Sequence, residues 1–188
     1  MAALKPDDAA ARGRPVVSVQ IAPASTTADV DAARGLIREY FATSAHDPAF
    51  SQCLASQGAD AEVAALPGDY APPRGRLLLA RVGGEVAGCI ALRPVAAPAA
   101  CDAVVPAGDA GEMERLFVRP PFRGSGVGRG LVLALLREAA AAGYRRMVLD
   151  TLPSMPAAQA LYRELDFAVV APSTSHPVAG AVFMEREL

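Results

Sequence analysis

Arg123, Gly124, Gly126 and Gly128 lie close together between an apolar run ending at Val118 and a second one beginning at Val127. Glycines at this spacing let a strand turn sharply into a helix. The first N–H groups of such a helix have no intrahelical partner, and the helix dipole adds partial positive charge beside them. The result is a seat for a phosphate-like anion, and a coenzyme pyrophosphate is the expected occupant. Two common nucleotide fingerprints do not fit. GxGxxG needs glycine three residues beyond Gly126 or Gly128, where Arg129 and Leu131 stand, and no Lys follows a glycine as a P-loop requires. On spacing alone, a tight turn that binds nothing is the alternative.

Other reactive side chains are sparse. The three cysteines, Cys53, Cys89 and Cys101, are far apart and form no CxxC pair, so neither a disulfide framework nor a zinc site is indicated and reduced buried thiols are expected. His46 adjoins Asp47-Pro48, and His176 sits in the polar run Ser173-Thr174-Ser175-His176-Pro177. Each is a candidate for substrate contact, with plain exposure as the alternative. Two distant histidines give a metal or Cys–His mechanism nothing to build on.

These residues need a scaffold, and 188 residues suffice for one domain with a proper core. The chain is 52% hydrophobic and 20% charged, which excludes a disordered protein, and a net charge of −2 excludes general nucleic-acid affinity. No apolar run approaches a membrane span or a signal peptide, so the expected location is cytoplasmic.

Residues Met1 to Pro15 lack periodicity and are expected to form a disordered lead-in, leaving 16–188 as the domain. Val16 to Ile21 is a β-branched strand. Thr26 or Thr27 caps a helix from about Ala28, with Val30, Ala33, Ile37 and Phe41 on its apolar face. A weaker helical segment covers Pro48 to Leu66 and stops at Pro67-Gly68 and Pro72-Pro73. Arg76 to Val82 and Glu85 to Leu92 form a hairpin across Gly83-Gly84. After a loose stretch from Pro94 to Pro106 comes a strand from about Gly111 to Val118. The glycine loop follows, then a helix from Val127 to Ala142 with Gly143 as its C′ residue. Arg146 to Asp150 is a strand, Ser154 caps a helix reaching Leu165, and Phe167 to Val170 and Ala181 to Glu187 are the last strands. The order β α α β β β α β α β β means an α/β (α+β) domain with a mixed sheet and helices on its faces.

Arg123-x-x-Gly126-x-Gly128, preceded by Leu116-Phe117-Val118 and followed by an apolar helix, resembles motif A of the GNAT superfamily of acyl-CoA-dependent N-acetyltransferases. Ala158-x-x-Leu161-Tyr162-x-x-x-Asp166-Phe167 looks like that family's later motif, with Asp166 where Gly is usual. The phrases LPGDYAPPRGRLLLA, EMERLFVRP, LDTLPSM and GAVFME are similar to a bacterial group of stand-alone members of unassigned substrate. The resemblance implies a single-domain GNAT fold: a mostly antiparallel sheet of six to seven strands, about four helices, and a splay between two central parallel strands.

The same resemblance implies roles. Backbone amides from Gly124 through Ser125, Gly126, Val127 and Gly128 to Arg129 would receive the pyrophosphate of acetyl-CoA, with Arg123 heading the loop. Leu116, Phe117 and Val118 would pair through their main chain with the pantetheine arm. Tyr162 matches the family's general acid, since a phenol can return a proton to a departing thiolate. Glu112 occupies a position that supplies a carboxylate base in some members, with Glu114 second in order. By strand alternation Glu112, Glu114, Leu116 and Val118 share a face unless a bulge intervenes. Met155 stands where many members carry an Asn that contacts the arm.

Two functions follow as expectations. One is direct acetyl transfer from acetyl-CoA to a primary amine of a small molecule, without metal, membrane or nucleic acid. The other is an acyl-CoA-binding sensor or scaffold that has lost catalysis. The acceptor stays open among amino acids, polyamines, antibiotics and peptide N-termini. Apolar residues Ala181 to Met184 on the last strand leave monomer and homodimer both open.

Overall fold

A computed structural model of the chain describes residues 18–95, 109–171 and 180–188, apart from the side chains of 56 and 57. The lead-in, most of the Pro94–Pro106 stretch with Cys101, and the run carrying His176 lie outside the described residues. Seven strands form one sheet: β1 (Val19–Pro23), β2 (Arg76–Val82), β3 (Glu85–Pro94), β4 (Ala110–Val118), β5 (Arg146–Thr151), β6 (Ala168–Val170) and β7 (Val182–Glu187). Their spatial order is β1-β2-β3-β4-β5-β7-β6, and every neighbouring pair is antiparallel except β4 and β5. Among the described residues five α-helices accompany it: α1 (Thr27–Ser44), α2 (Pro48–Gln57), α3 (Ala59–Ala65), α4 (Val127–Ala141) and α5 (Pro156–Glu164).

Local chemistry explains most boundaries. Thr26 and Asp29 form a capping box at the start of α1: the Thr26 hydroxyl accepts from the Asp29 N–H at 3.1 Å, and the Thr26 N–H donates to Asp29 Oδ2 at 3.1 Å. The segment expected as one helix from Pro48 to Leu66 is two. Gly58 adopts φ +65° and ends α2 with a bond from its N–H to the Leu54 carbonyl, after which α3 starts afresh. Gly143, at φ +87°, closes the turn after α4 as expected.

Both faces of β2 and β3 are covered, which is why Leu77, Leu78 and Leu79 can be consecutive. Leu78, Ile90, Leu92, Met113 and Met147 pack with Leu131 and Leu135 of α4 on one face. Leu77, Leu79, Cys89, Ala91 and Phe117 pack with Leu36 and Ile37 of α1 on the other. Each fully buried Leu or Ile contributes roughly 1.5–3 kcal/mol, so α4, anchored by Leu131 and Leu135, holds the glycine loop firmly. The C-terminal strand is not the exposed apolar surface that its composition suggests. β7 runs between β5 and β6, and Met184 is wholly buried.

The feature that makes room for a site is a divergence. β4 and β5 pair only from Ala110↔Arg146 through Glu112↔Val148, and beyond Glu112 they separate. A bulge in β4 accompanies the separation: Cys89 faces Phe117 while Ala91 faces Glu114, so Arg115 and Leu116 both lie opposite Ile90. Arg115 takes φ +57°, a rare value for a side chain of its size.

Candidate active site

The opening between β4 and β5 continues into a cleft of about 510 Å³, a volume suited to a small molecule or one arm of a larger one. β4 and β5 form its sides, α5 and the glycine loop one end, and α1 with α2 the other.

At the loop end, Gly124 and Gly126 adopt φ +72° and +86°, a region that a side chain enters only with strain. No side chain caps α4 and no acidic residue occupies its first turn, so its leading amides face outward without a competing anion. Gly124 and Gly128 line the cleft, while Ser125 bends back so that its hydroxyl donates to the Phe122 carbonyl at 2.6 Å. Val127 turns its side chain into the core and Arg129 is exposed, so what either brings to the loop is its backbone amide. Arg123 donates from Nε to the Val118 carbonyl at 2.9 Å, and its guanidinium carbon lies 5.9 Å from the Phe117 ring centroid. It therefore braces the strand-to-loop turn. The geometry fits a pyrophosphate on the amides and an amide-bearing arm along β4, whose β5-facing edge is unpaired by β5 past Glu112.

Leu116, Phe117 and Val118 all line the cleft, as does Tyr162. Glu112 does not. It still pairs with Val148, behind the point of divergence, and Arg93 donates to it from Nε at 2.8 Å. The bulge also breaks the expected shared face. Met113, Leu116 and Val118 all pack on the α4 side of the sheet, so Leu116 and Val118 no longer share a face with Glu112 and Glu114.

Glu114, two residues further along, is a carboxylate on the cleft wall, and it is only 9% exposed. Its Oε1 lies 2.6 Å from Arg93 Nη2, without the angles of a hydrogen bond, and its Oε2 lies 3.5 Å from Arg115 Nη1. Burial raises its pKa; Arg115 and Arg93 oppose that, Glu112 and Asp150 reinforce it, and the outcome is about 7. A carboxyl poised there can accept a proton near neutral pH.

Arg115 also lines the cleft, but its guanidinium is engaged with α3. Its Nε and Nη2 reach both oxygens of Glu62 on α3, at 2.8 and 2.6 Å, and the Tyr70 hydroxyl donates to Glu62 Oε1 at 2.9 Å. Burial would raise the Glu62 pKa, but the Arg115 bonds and charge outweigh it and the carboxyl is held below its usual range.

Tyr162 is buried on α5, its ring 5.8 Å from that of Phe167. Burial, with smaller contributions from Tyr40, Glu114 and Asp150, raises its phenol pKa, so the proton stays in place across the neutral range. Met155 begins α5 and lines the cleft, with Sδ 3.9 Å from the Tyr40 hydroxyl, so a thioether and not an amide faces this part of the wall. Ser154 is not the cap expected of it. Its hydroxyl donates to Asp47 Oδ2 at 2.5 Å, and Asp47 caps α2 through Oδ1. His46, beside Asp47, is exposed and does not line the cleft. Asp166 adopts φ +61°, a left-handed conformation that favours Gly.

Several wall residues escaped the sequence reading. Tyr40, Phe50 and Cys53 arrive from α1 and α2, and burial raises the Cys53 thiol to about 11, which marks it as inert. Asp150 had a usable signal, because it stands near the carboxyl end of a central parallel strand, where open sheets present ligand groups.

Residues 38–167 match the acetyltransferase (GNAT) family. The chain is 32% identical over 172 residues to an uncharacterized N-acetyltransferase of Schizosaccharomyces pombe, covering 91% of this chain and 96% of that one. It is 36% identical over 119 residues to an IAA acetyltransferase of Azospirillum brasilense, covering 63% of this chain and 71% of that one. An N-acetyltransferase of Thermoplasma acidophilum, solved in complex with coenzyme A, superposes with a TM-score of 0.63 at 16% identity over 91% of this chain and 99% of that one. With a diverging β4–β5 pair, an uncapped α4 behind a glycine loop and this match over most of its length, the chain belongs to the GNAT family and is an acetyl-CoA-dependent acyltransferase.

Proposed function

We propose that the cleft moves an acetyl group from acetyl-CoA directly to a primary amine of a small molecule, with Glu114 as general base and Tyr162 as general acid. One observation carries this reading. A carboxyl with its pKa raised to about 7 and a phenol kept protonated line the same cleft, at the divergence of β4 and β5. This assigns the base to Glu114 in place of Glu112.

The loop amides from Gly124 to Arg129 hold the pyrophosphate, and the free edge of β4 from Leu116 to Val118 aligns the arm. The coenzyme complex of the Thermoplasma neighbour supports coenzyme A as the ligand of this fold. Acetyl-CoA supplies an activated thioester carbonyl. Glu114, directly or through one water, removes a proton from the incoming ammonium and frees its lone pair. The N–C bond forms, the C–S bond breaks, Tyr162 gives its proton to the departing sulfur, and the second nitrogen proton, lost as the amide forms, restores the phenol. Base and acid contribute on the order of 10²–10⁴-fold each. The catalytic unit is one domain over 16–188, with no metal in the reaction.

Amine-dependent release of free thiol tests the reading. Thiol release from acetyl-CoA should accelerate with a suitable amine and fall sharply in Tyr162→Phe and Glu114→Gln. If no amine from a broad panel accelerates it and both variants match the parent, the reading is wrong.

A further inference from the structure

The acceptor half of the cleft has a chemistry of its own. α2 packs against the segment that follows β5 to form a third apolar cluster, with Phe50, Cys53 and Leu152 buried and Tyr40, Leu54 and Met155 around them. Tyr40 anchors it, with its ring centroid 5.0 Å from Phe50 in an edge contact and 5.5 Å from Phe117 in a stacked one. All of these residues also line the cleft.

Among the described residues the wall carries two carboxylates and two arginines. Asp150 and Glu114 both line the cleft, from β5 and β4 respectively, and the charge of Asp150 is felt at Glu114, Tyr40, Cys53 and Tyr162. The cations on the wall, among the described residues, are Arg115 and Arg123. Arg115 is committed to Glu62 through two bonds, and Arg123 donates to the Val118 carbonyl at the coenzyme end. An acceptor carrying a carboxylate beside its amine would meet two carboxylates there and an arginine already committed to another. An acceptor that is a simple ammonium on an apolar body meets complementary charge and an aromatic wall.

We infer that the acceptor is an apolar, most favourably aryl-bearing, primary amine without a neighbouring carboxylate, and that Asp150 is the residue that anchors its ammonium. The inference rests on the acetyl-transfer reading above. Asp150 draws the cation into the divergence of β4 and β5, and Glu114 then takes the proton. The aromatic body lies against Tyr40 and Phe50. Discrimination against the amino acid comes from repulsion as much as from attraction.

The test compares 2-phenylethylamine, phenylalanine and spermidine as acceptors, reading thiol release and acetylated product. 2-Phenylethylamine should exceed each of the others in kcat/KM by roughly tenfold or more. Asp150→Asn should raise the KM for 2-phenylethylamine on the order of tenfold with kcat and the acetyl-CoA KM little changed, and Asp150→Glu should restore part of the loss. A faster reaction with phenylalanine or spermidine overturns the inference and leaves acetyl transfer standing. So does an Asp150→Asn variant whose amine KM does not move. If no amine accelerates thiol release, the acetyl-transfer reading falls and the inference with it.

Discussion

Arg115, at the bulge of β4, places its guanidinium against Glu62 of α3 with contacts of 2.8 and 2.6 Å, while the preceding residue, Glu114, faces the cleft. One backbone irregularity thus performs two tasks. It turns a large cation inward to fasten a helix, and it leaves a carboxyl exposed to substrate and to little water. The pair also limits how far Arg115 can neutralise Glu114, since its better contacts go elsewhere.

Breaking that pair should cost stability first. Glu62→Gln leaves the buried Arg115 charge with one partner fewer, and such losses run on the order of 3 kcal/mol. Chemical denaturation should show the deficit in midpoint. Glu114→Gln should be milder, because Arg93 keeps Glu112 and Arg115 keeps Glu62.

Glu114 should impose an acidic limb on activity. The base works only when ionised, so kcat/KM should fall as pH drops below about 7, and the limb should be absent from the residual activity of Glu114→Gln. Stability runs the opposite way. A carboxyl whose folded pKa is raised contributes fully below its unfolded value and loses that contribution as pH rises through about 7. Between pH 5 and pH 8 the melting temperature of Glu114→Gln should therefore gain on that of the parent.

Tyr162→Phe should lower kcat by about 10²-fold while leaving the acetyl-CoA KM nearly unchanged, since it removes a proton donor and keeps the ring that packs on Phe167. Because the phenol pKa is raised, no loss of activity from Tyr162 ionisation should be seen up to pH 9.

Gly126→Glu puts a strained side chain and a negative charge at the start of α4, where φ is +86°. Calorimetric titration should show coenzyme A affinity weakened on the order of 100-fold. Asp166→Gly removes a strain of another kind, at φ +61°, and should stabilise by about 0.5 kcal/mol in a thermal melt.

The legible parts of this protein are those governed by local rules. The glycine loop and α4 could be read because Gly124, Gly126 and Gly143 take backbone angles that favour glycine. The hairpin at Gly83-Gly84 and the cap at Thr26 were visible for equally local reasons. Parity along β4 was not. One bulge at Arg115 exchanges which residues face which side, and apolar alternation carries no sign of where it falls. Glu112 stood ahead of Glu114 because the family resemblance favoured its position, and alternation puts both on one face without showing where β4 leaves β5. Glu62, Tyr40 and Phe50 were invisible as site residues for a different reason. Each reads as an ordinary face of an amphipathic helix, and only packing of α1, α2 and α3 onto the sheet brings them to the cleft or its support.

The most direct test of acetyl transfer is a mass balance in a single reaction mixture of the protein, acetyl-CoA and 2-phenylethylamine. Free thiol and singly acetylated amine should appear in equal amounts, and the intact mass of the protein should stay unchanged throughout. Thiol released without acetylated amine, or an acetyl group that accumulates on the protein before the product forms, would contradict direct transfer in this cleft.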